Sequence, residues 1–158
     1  MGRVLDRRAG IAPEAVDVVF LTHFHADHRV GLEAFGHAEW SMAIGEIEHW
    51  NRDLLADAHD REVLDRMAPV DQRLLPGIDA IETPGHTPGH ASLVFESDGR
   101  RIVVAGDAVM TGDFFRHRDY YFNTIDPDAA VASIETIAGV ADIVIPGHDN
   151  YFVNLESR

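Results

Sequence analysis

The sequence predicts an α/β fold built on mixed sheets. Three observations carry that prediction. Short apolar runs of strand length alternate with segments of helical periodicity. Two of the strand-length runs, 91–96 and 101–105, flank Ser97-Asp98-Gly99-Arg100, which has the composition of a hairpin turn, so part of the sheet structure is antiparallel. Several apolar runs end in loops carrying histidine or aspartate, the arrangement by which strand ends along one sheet edge bring distant residues together.

Residues 12–17 read as a short helical lead-in, and Val18–Leu21 as a buried strand of consecutive apolar residues. The histidine-rich stretch 22–28 follows as an extended loop, then a helical turn over 31–35 and a strand over Glu39–Ala43. Over 46–58, Ile47, Trp50, Leu54, Leu55 and Ala58 recur at helical spacing, and 61–67 extends or follows that helix. Strands are expected over 70–74 and 80–82, followed by the hairpin. Asp126-Pro127 supplies a helix cap and a first-turn proline, with Ala130, Val131, Ile134, Ile137 and Ala138 as the apolar positions. Residues 142–145 form the closing strand.

The 158 residues are 46% hydrophobic and 25% charged, which suits one domain with a true core over 1–158. No run of eighteen apolar residues occurs, so no membrane span is expected. The N-terminus lacks a signal-peptide core and there is no cysteine, so a cytoplasmic location is expected. Acidic residues number 27 and basic residues 13, for a net charge of −14, and every basic residue is arginine. Arginine-biased codon usage and salt adaptation both produce such a balance, and the acid excess leans toward the second. A surface of that sign disfavours free nucleic-acid binding at low salt. A small or locally gripped substrate is expected instead.

The densest chemistry lies in Thr22-His23-Phe24-His25-Ala26-Asp27-His28, where three imidazoles and a carboxylate follow a predicted strand. In an extended loop, residues two apart point the same way, so His23 and His25 face one metal while Asp27 and His28 turn toward a second. Two metals need further ligands. His86 in Thr83-Pro84-Gly85-His86-Thr87-Pro88-Gly89-His90, Asp107 after 102–106, and His148 after Pro146-Gly147 are the candidates. Nitrogen and oxygen donors without thiolate suit zinc, and also iron or manganese. His37, His49, His59 and His117 have no such company and read as ordinary surface or packed histidines.

The ordered set H-x-H-x-D-H, T-P-G-H-T-x-G-H, G-D and P-G-H resembles the metallo-β-lactamase superfamily of metal-dependent hydrolases, over about Val18 to His148. The resemblance implies an αββα sandwich with metals at one edge. It implies His23, His25 and His86 on one ion, Asp27, His28 and His148 on the other, and Asp107 bridging the two, with His90 standing behind the ligands. Two divalent ions, zinc first, would ionise a bound water near neutral pH and grip the substrate oxygen. Asp27 is then the catalytic residue that orients the hydroxide and returns a proton to the leaving group. The expected reaction is hydrolysis of an ester-like bond: phosphodiester, lactone, thioester or amide.

Departures from the family narrow this. Members carry several strands before the first motif, so the first sheet is expected to be incomplete and covered in a homo-oligomer. Asp107 replaces the cysteine of the main zinc β-lactamase classes. Met110 stands where acyl-homoserine lactonases have tyrosine. Flavo-diiron proteins have glutamate where His25 stands, and neither their flavodoxin domain nor the helical extension of glyoxalase II types is expected here. The closing region looks most like the branch containing metallo-β-lactamase domain-containing protein 1, a branch linked with RNA phosphodiester cleavage.

The segment 116–121 has two readings. It is a solvated loop with packed tyrosines, or a substrate wall in which Arg116 meets an anionic group and His117, Tyr120 or Tyr121 polarises an oxygen. Asn150 and Tyr151 are comparable candidates. Two other functional readings remain open: a mononuclear iron oxidoreductase of the sulfur-dioxygenase kind on the same scaffold, and an inactive truncated member that binds metal.

Overall fold

Strand β1 (Val18–Leu21) opens the first sheet, and its register shows why the early apolar run ends where it does: Val18 pairs with Glu39 and Leu21 with Met42 of β2 (Glu39–Ala43), both in parallel. The structure, a computed structural model, describes residues 2–156, so the two ends of the expected 1–158 domain lie outside it. Among the described residues nine strands form two sheets. The first has the order β1-β2-β3, with β3 at Met67–Val70. The second has the order β4-β5-β6-β7-β8-β9, at Arg73–Leu75, Ile78–Glu82, Ala91–Ser97, Arg100–Gly106, Ile143–Pro146 and Phe152–Val153. The first sheet is wholly parallel and the second mixed: β7 and β8 run parallel, and the remaining neighbours are antiparallel.

Each sheet has its own apolar core. On the first, Leu21, Trp40, Met42 and Met67 pack with Phe24, Leu32, Val63 and Leu64. On the second, Val103, Ala105 and Val144 pack with Ile134, Ile137 and Ala138 of the helix that crosses from β7 to β8 and with Ala141 just past its end. Truncating the fully buried Ile137 to alanine would cost about 2–5 kcal/mol, the usual loss for such a cavity. The hairpin turn forms as expected, with Asp98 and Gly99 both at positive φ (51° and 71°), the conformation a two-residue turn needs.

Six α-helices are described: α1 (Gly2–Ala9), α2 (Ala26–Arg29), α3 (Ile44–Arg52), α4 (Ala58–Asp65), α5 (Gly112–His117) and α6 (Pro127–Val140). Helix α6 begins as its sequence predicts, with the Asp126 carboxylate accepting the Ala129 amide at 3.0 Å. Among these helices none is long and apolar enough to cross a membrane.

Several sequence expectations are corrected. The lead-in over 12–17 shrinks to a 3-10 turn at Pro13–Ala15, because Val16 is already extended. The metal loop is extended only through His25, and Ala26–Arg29 is helical, so Asp27 and His28 project from a helical turn. The helix expected over 46–58 breaks in two. Asp53 is extended, its carboxylate accepts the Leu55 amide, and the Arg61 guanidinium donates to the terminal carbonyls of Trp50 and Asn51. Asp57 then starts α4 with a capping box, which leaves Leu54 and Leu55 exposed. The strand expected over 70–74 is two strands in different sheets. The chain crosses between the sheets at Asp71-Gln72, and Pro69 fits because β3 is an edge strand.

Candidate metal centre

Four strand ends deliver the site. After β1, Thr22 carries the chain into His23, and its carbonyl accepts the Ala91 amide at 3.0 Å, tying the first sheet to the second. After β5, the loop over 83–90 is pinned to α6: Ser133 Oγ donates to the Pro84 carbonyl at 2.6 Å, and a Cβ at Gly85 (φ +133°) would lie 2.3 Å from Ala130 N. After β7, Gly106 turns the chain so that Asp107 points inward. After β8, Gly147 places His148, whose amide donates to Met110 O at 3.0 Å. A Cβ on Gly147 would lie 1.9 Å from Asp107 Oδ1, so a glycine is required for that carboxylate to sit where it does.

These ends converge on one point. His25 Nδ1 lies 3.0 Å from His86 Nε2. Asp107 faces both ways: Oδ2 is 3.4 Å from His86 Nε2 and 3.9 Å from His23 Nε2, while Oδ1 is 3.2 Å from His28 Nε2 and 3.4 Å from His148 Nε2. Asp27 Oδ2 is 3.5 Å from His148 Nε2 and 3.8 Å from His28 Nε2. Three overlapping groups result, each with donor atoms within 4.8 Å of one another: His23–His25–His86, His23–His28–Asp107 and Asp27–His28–His148. The first group is deep, with His23 and His86 almost fully buried. The third is open, with Asp27 exposed.

Burial governs the charges. Desolvation drives the pKa of His23 far down, helped by the neighbouring His90, and lowers that of His25. The same cause takes His86 to about 4 and His90 to about 3. For His28, desolvation opposes the charge, but the adjacent Asp107 carboxylate outweighs it and raises the pKa. Asp107 answers in kind: burial alone would raise its pKa, yet His28 lowers it. At neutral pH the deep group is therefore a set of neutral imidazoles around a carboxylate, the protonation state in which these side chains bind metal.

The donor set fits a divalent cation on a second count. His23 Nε2, His28 Nε2 and Asp107 Oδ1 are buried without a hydrogen-bond partner, although each points into the cluster. Orphaned polar atoms of this kind cost free energy unless something binds them. Two rings are held from behind: Thr22 Oγ1 is 3.2 Å from His23 Nδ1, and Thr83 Oγ1 is 2.9 Å from His90 Nδ1 and 2.8 Å from Ser92 Oγ, whereas His86 Nδ1 is buried without a partner.

The sequence profile described as the metallo-beta-lactamase superfamily matches residues 2–148. The chain belongs to this superfamily. It is 29% identical over 150 residues to an N-acyl homoserine lactonase of Bacillus cereus, covering 90% of this chain and 60% of that one. It is 31% identical over 144 residues to metallo-beta-lactamase domain-containing protein 1 of Xenopus laevis, covering 88% and 56%. Among solved structures, an N-acyl homoserine lactone hydrolase with the product N-hexanoyl-L-homoserine bound at its catalytic metal center superposes with a TM-score of 0.74 at 26% identity, covering 94% of this chain and 61% of that one. The chain thus spans about three fifths of the length of these relatives.

In this superfamily member a cavity of about 600 Å³ opens beside the cluster, lined by His25, Ala26, Asp27, Asp107, Met110, Thr111, Phe114, Tyr121, Asn123 and His148. Of the residues read from sequence as a substrate wall, Tyr121 is in that lining. The others lie elsewhere. Arg116 pairs with Asp113 on α5, His117 Nδ1 is 2.9 Å from the Asp113 carbonyl, and Tyr120, Asn150 and Tyr151 are exposed outside the lining. The physical reason is α5, a helix the sequence reading missed. Thr111 caps it through the Phe114 amide, so Met110, Thr111 and Phe114 face the cavity while Arg116 and His117 do not line it. Thr111 followed by Gly-Asp was a usable cap signal. Nothing in the sequence marked Asn123.

Proposed function

We propose that this chain holds two divalent metal ions, zinc in the first instance, and hydrolyses an ester-like bond, with a lactone as the leading substrate class. The observation that carries the reading is the two-faced Asp107 carboxylate, with one oxygen toward His86 and His23 and the other toward His28 and His148. Such an arrangement suits a bridge between a deep ion on His23, His25 and His86 and a shallower one on Asp27, His28 and His148. The lactone preference draws on the acyl-homoserine lactonases that match in sequence and fold. The phosphodiester alternative draws on the similarity to metallo-beta-lactamase domain-containing protein 1.

Ions bound there would polarise the scissile carbonyl and supply a nucleophilic water at neutral pH. The chain's own residues do the rest. Asp27 lines the cavity, and its Oδ2 lies beside His148, within reach of a proton released during attack and of the leaving alkoxide. Met110, Phe114 and Tyr121 offer an apolar wall for the non-reacting part of the substrate and limit water on that side. Asn123 and Thr111 add polar groups to the same wall.

The test is a panel of lactones, phosphodiesters and thioesters, assayed with and without zinc or manganese. The expected result is metal-dependent ring opening of lactones, abolished by a chelator and restored by zinc. A fully metal-loaded protein inert toward every ester would overturn the reading. One iron per chain with oxygen uptake would replace it with the sulfur-dioxygenase alternative.

A further inference from the structure

We propose that Glu46 is the positioning residue that locks the two metal-binding turns against each other and so sets the geometry of the deep histidine group. Glu46 stands in the first turn of α3, fully buried, with both carboxylate oxygens in use. Oε1 accepts the Phe24 amide at 3.0 Å and the Trp50 indole N–H at 2.9 Å. Oε2 accepts the Thr87 hydroxyl at 2.8 Å and the Gly89 amide at 3.2 Å. Phe24 lies between His23 and His25, Thr87 follows His86, and Gly89 precedes His90. One side chain therefore ties the turn that carries two histidines of the group to the turn that carries the third.

Among the described residues no arginine or histidine forms an ion pair with Glu46, so four uncharged donors and the helix N-terminus carry the whole burden of holding its charge. A buried charge held this way contributes little to stability compared with an apolar residue of the same size, and its best-attested use is to specify one arrangement. The packing agrees. A Cβ on Gly89 would fall 2.0 Å from Glu46 N, so the second turn is pressed directly onto the start of α3, with no room to slide. Trp50, fixed by the same carboxylate, stands edge-on to both Phe24 and His25, with ring centroids 5.3 and 6.1 Å away.

The inference rests on the metal-centre reading for the ion but not for the clamp, and two readouts separate them. In Glu46→Gln one oxygen becomes an NH2 that faces two donors. In Thr87→Val one donor is lost and the carboxylate stays. In metal-free protein, amide exchange at Phe24 and Gly89 should accelerate about tenfold or more in Glu46→Gln, and less in Thr87→Val, while the amides of β6 and β7 keep their protection. Under chelator competition, the zinc equivalent held by the deep histidine group should weaken by about 10–100-fold and the other should hold. Unchanged exchange and zinc affinity in both variants would overturn the proposal. So would a uniform loss of protection across the β6 and β7 amides, which marks a merely structural role. Wild-type protein that takes up no zinc would sink the metal-centre reading and leave the exchange test of the clamp standing.

Discussion

His28 and Asp107 lie 3.2 Å apart, Nε2 to Oδ1, and each shifts the other's proton affinity, His28 upward and Asp107 downward. The contact joins helix α2 to the end of β7, and so couples the early histidine motif to the opposite sheet. Because the second oxygen of the same carboxylate faces His86, Asp107 sits between the deep and shallow groups. Asp107→Asn should therefore weaken both metal equivalents, by about 10–100-fold or more, and lower turnover by orders of magnitude. Elemental analysis after dialysis against chelator checks the first part, and steady-state kinetics the second.

His25→Ala removes a ring whose Nδ1 lies 3.0 Å from His86 Nε2. The deep group is then left with His23 and His86, while Asp27, His28 and His148 are untouched. The variant should bind about one zinc equivalent fewer and lose hydrolysis altogether. Retention of two tightly bound equivalents would remove His25 from the ligand set.

Asp27→Asn tests chemistry more than binding. Asp27 is the most exposed member of its group, and His28 and His148 remain to hold an ion. At least one zinc equivalent should stay, kcat should fall by about 10²–10⁴-fold, and KM should change much less. Wild-type rates in the loaded variant would exclude any part for Asp27 in proton transfer.

Acid should destabilise the metal-free protein. His86 and His90 titrate in the folded state at about 4 and about 3, against an unperturbed value of about 6.5, and His23 and His25 are also lowered. Below pH 6.5 the unfolded chain binds protons that the folded chain refuses, so the stability these groups contribute is present above that pH and is lost as pH falls toward 4. His28, raised in the fold, acts in the opposite sense but is one group against several. Urea midpoints of the metal-free protein should fall steadily from pH 7 to pH 4.5, and saturating zinc should raise the midpoint near neutrality. A flat profile over that range would contradict the burial of these rings as neutral groups.

Much of this architecture is legible in the sequence where local chemistry decides the outcome. The hairpin at Asp98-Gly99 and the start of α6 at Asp126-Pro127 follow from turn and cap residues alone, and both form. The motif residues converge because each sits just past a strand end, a relation visible as apolar run followed by polar turn. What the sequence hides depends on tertiary partners. Leu54 and Leu55 keep helical spacing, yet Arg61, eight residues past Asp53, caps α3 and ends it early. The crossing from β3 to β4 looks like one strand because both halves have strand composition, and only the sheet partners differ. Glu46 looks like any acid in a first helical turn, and its four donors come from residues up to 43 positions away. Of the residues offered as a substrate wall Tyr121 lines the cavity, and α5, which places Met110, Thr111 and Phe114 there, is a six-residue helix with too few turns to show a period.

Anomalous diffraction at the zinc edge, from crystals grown with zinc, decides whether Asp107 stands between two ions. Two peaks are expected flanking Asp107, one among His23, His25 and His86 and the other among Asp27, His28 and His148. A single peak held by His23, His28 and Asp107, or peaks confined to the acidic surface, would contradict this arrangement.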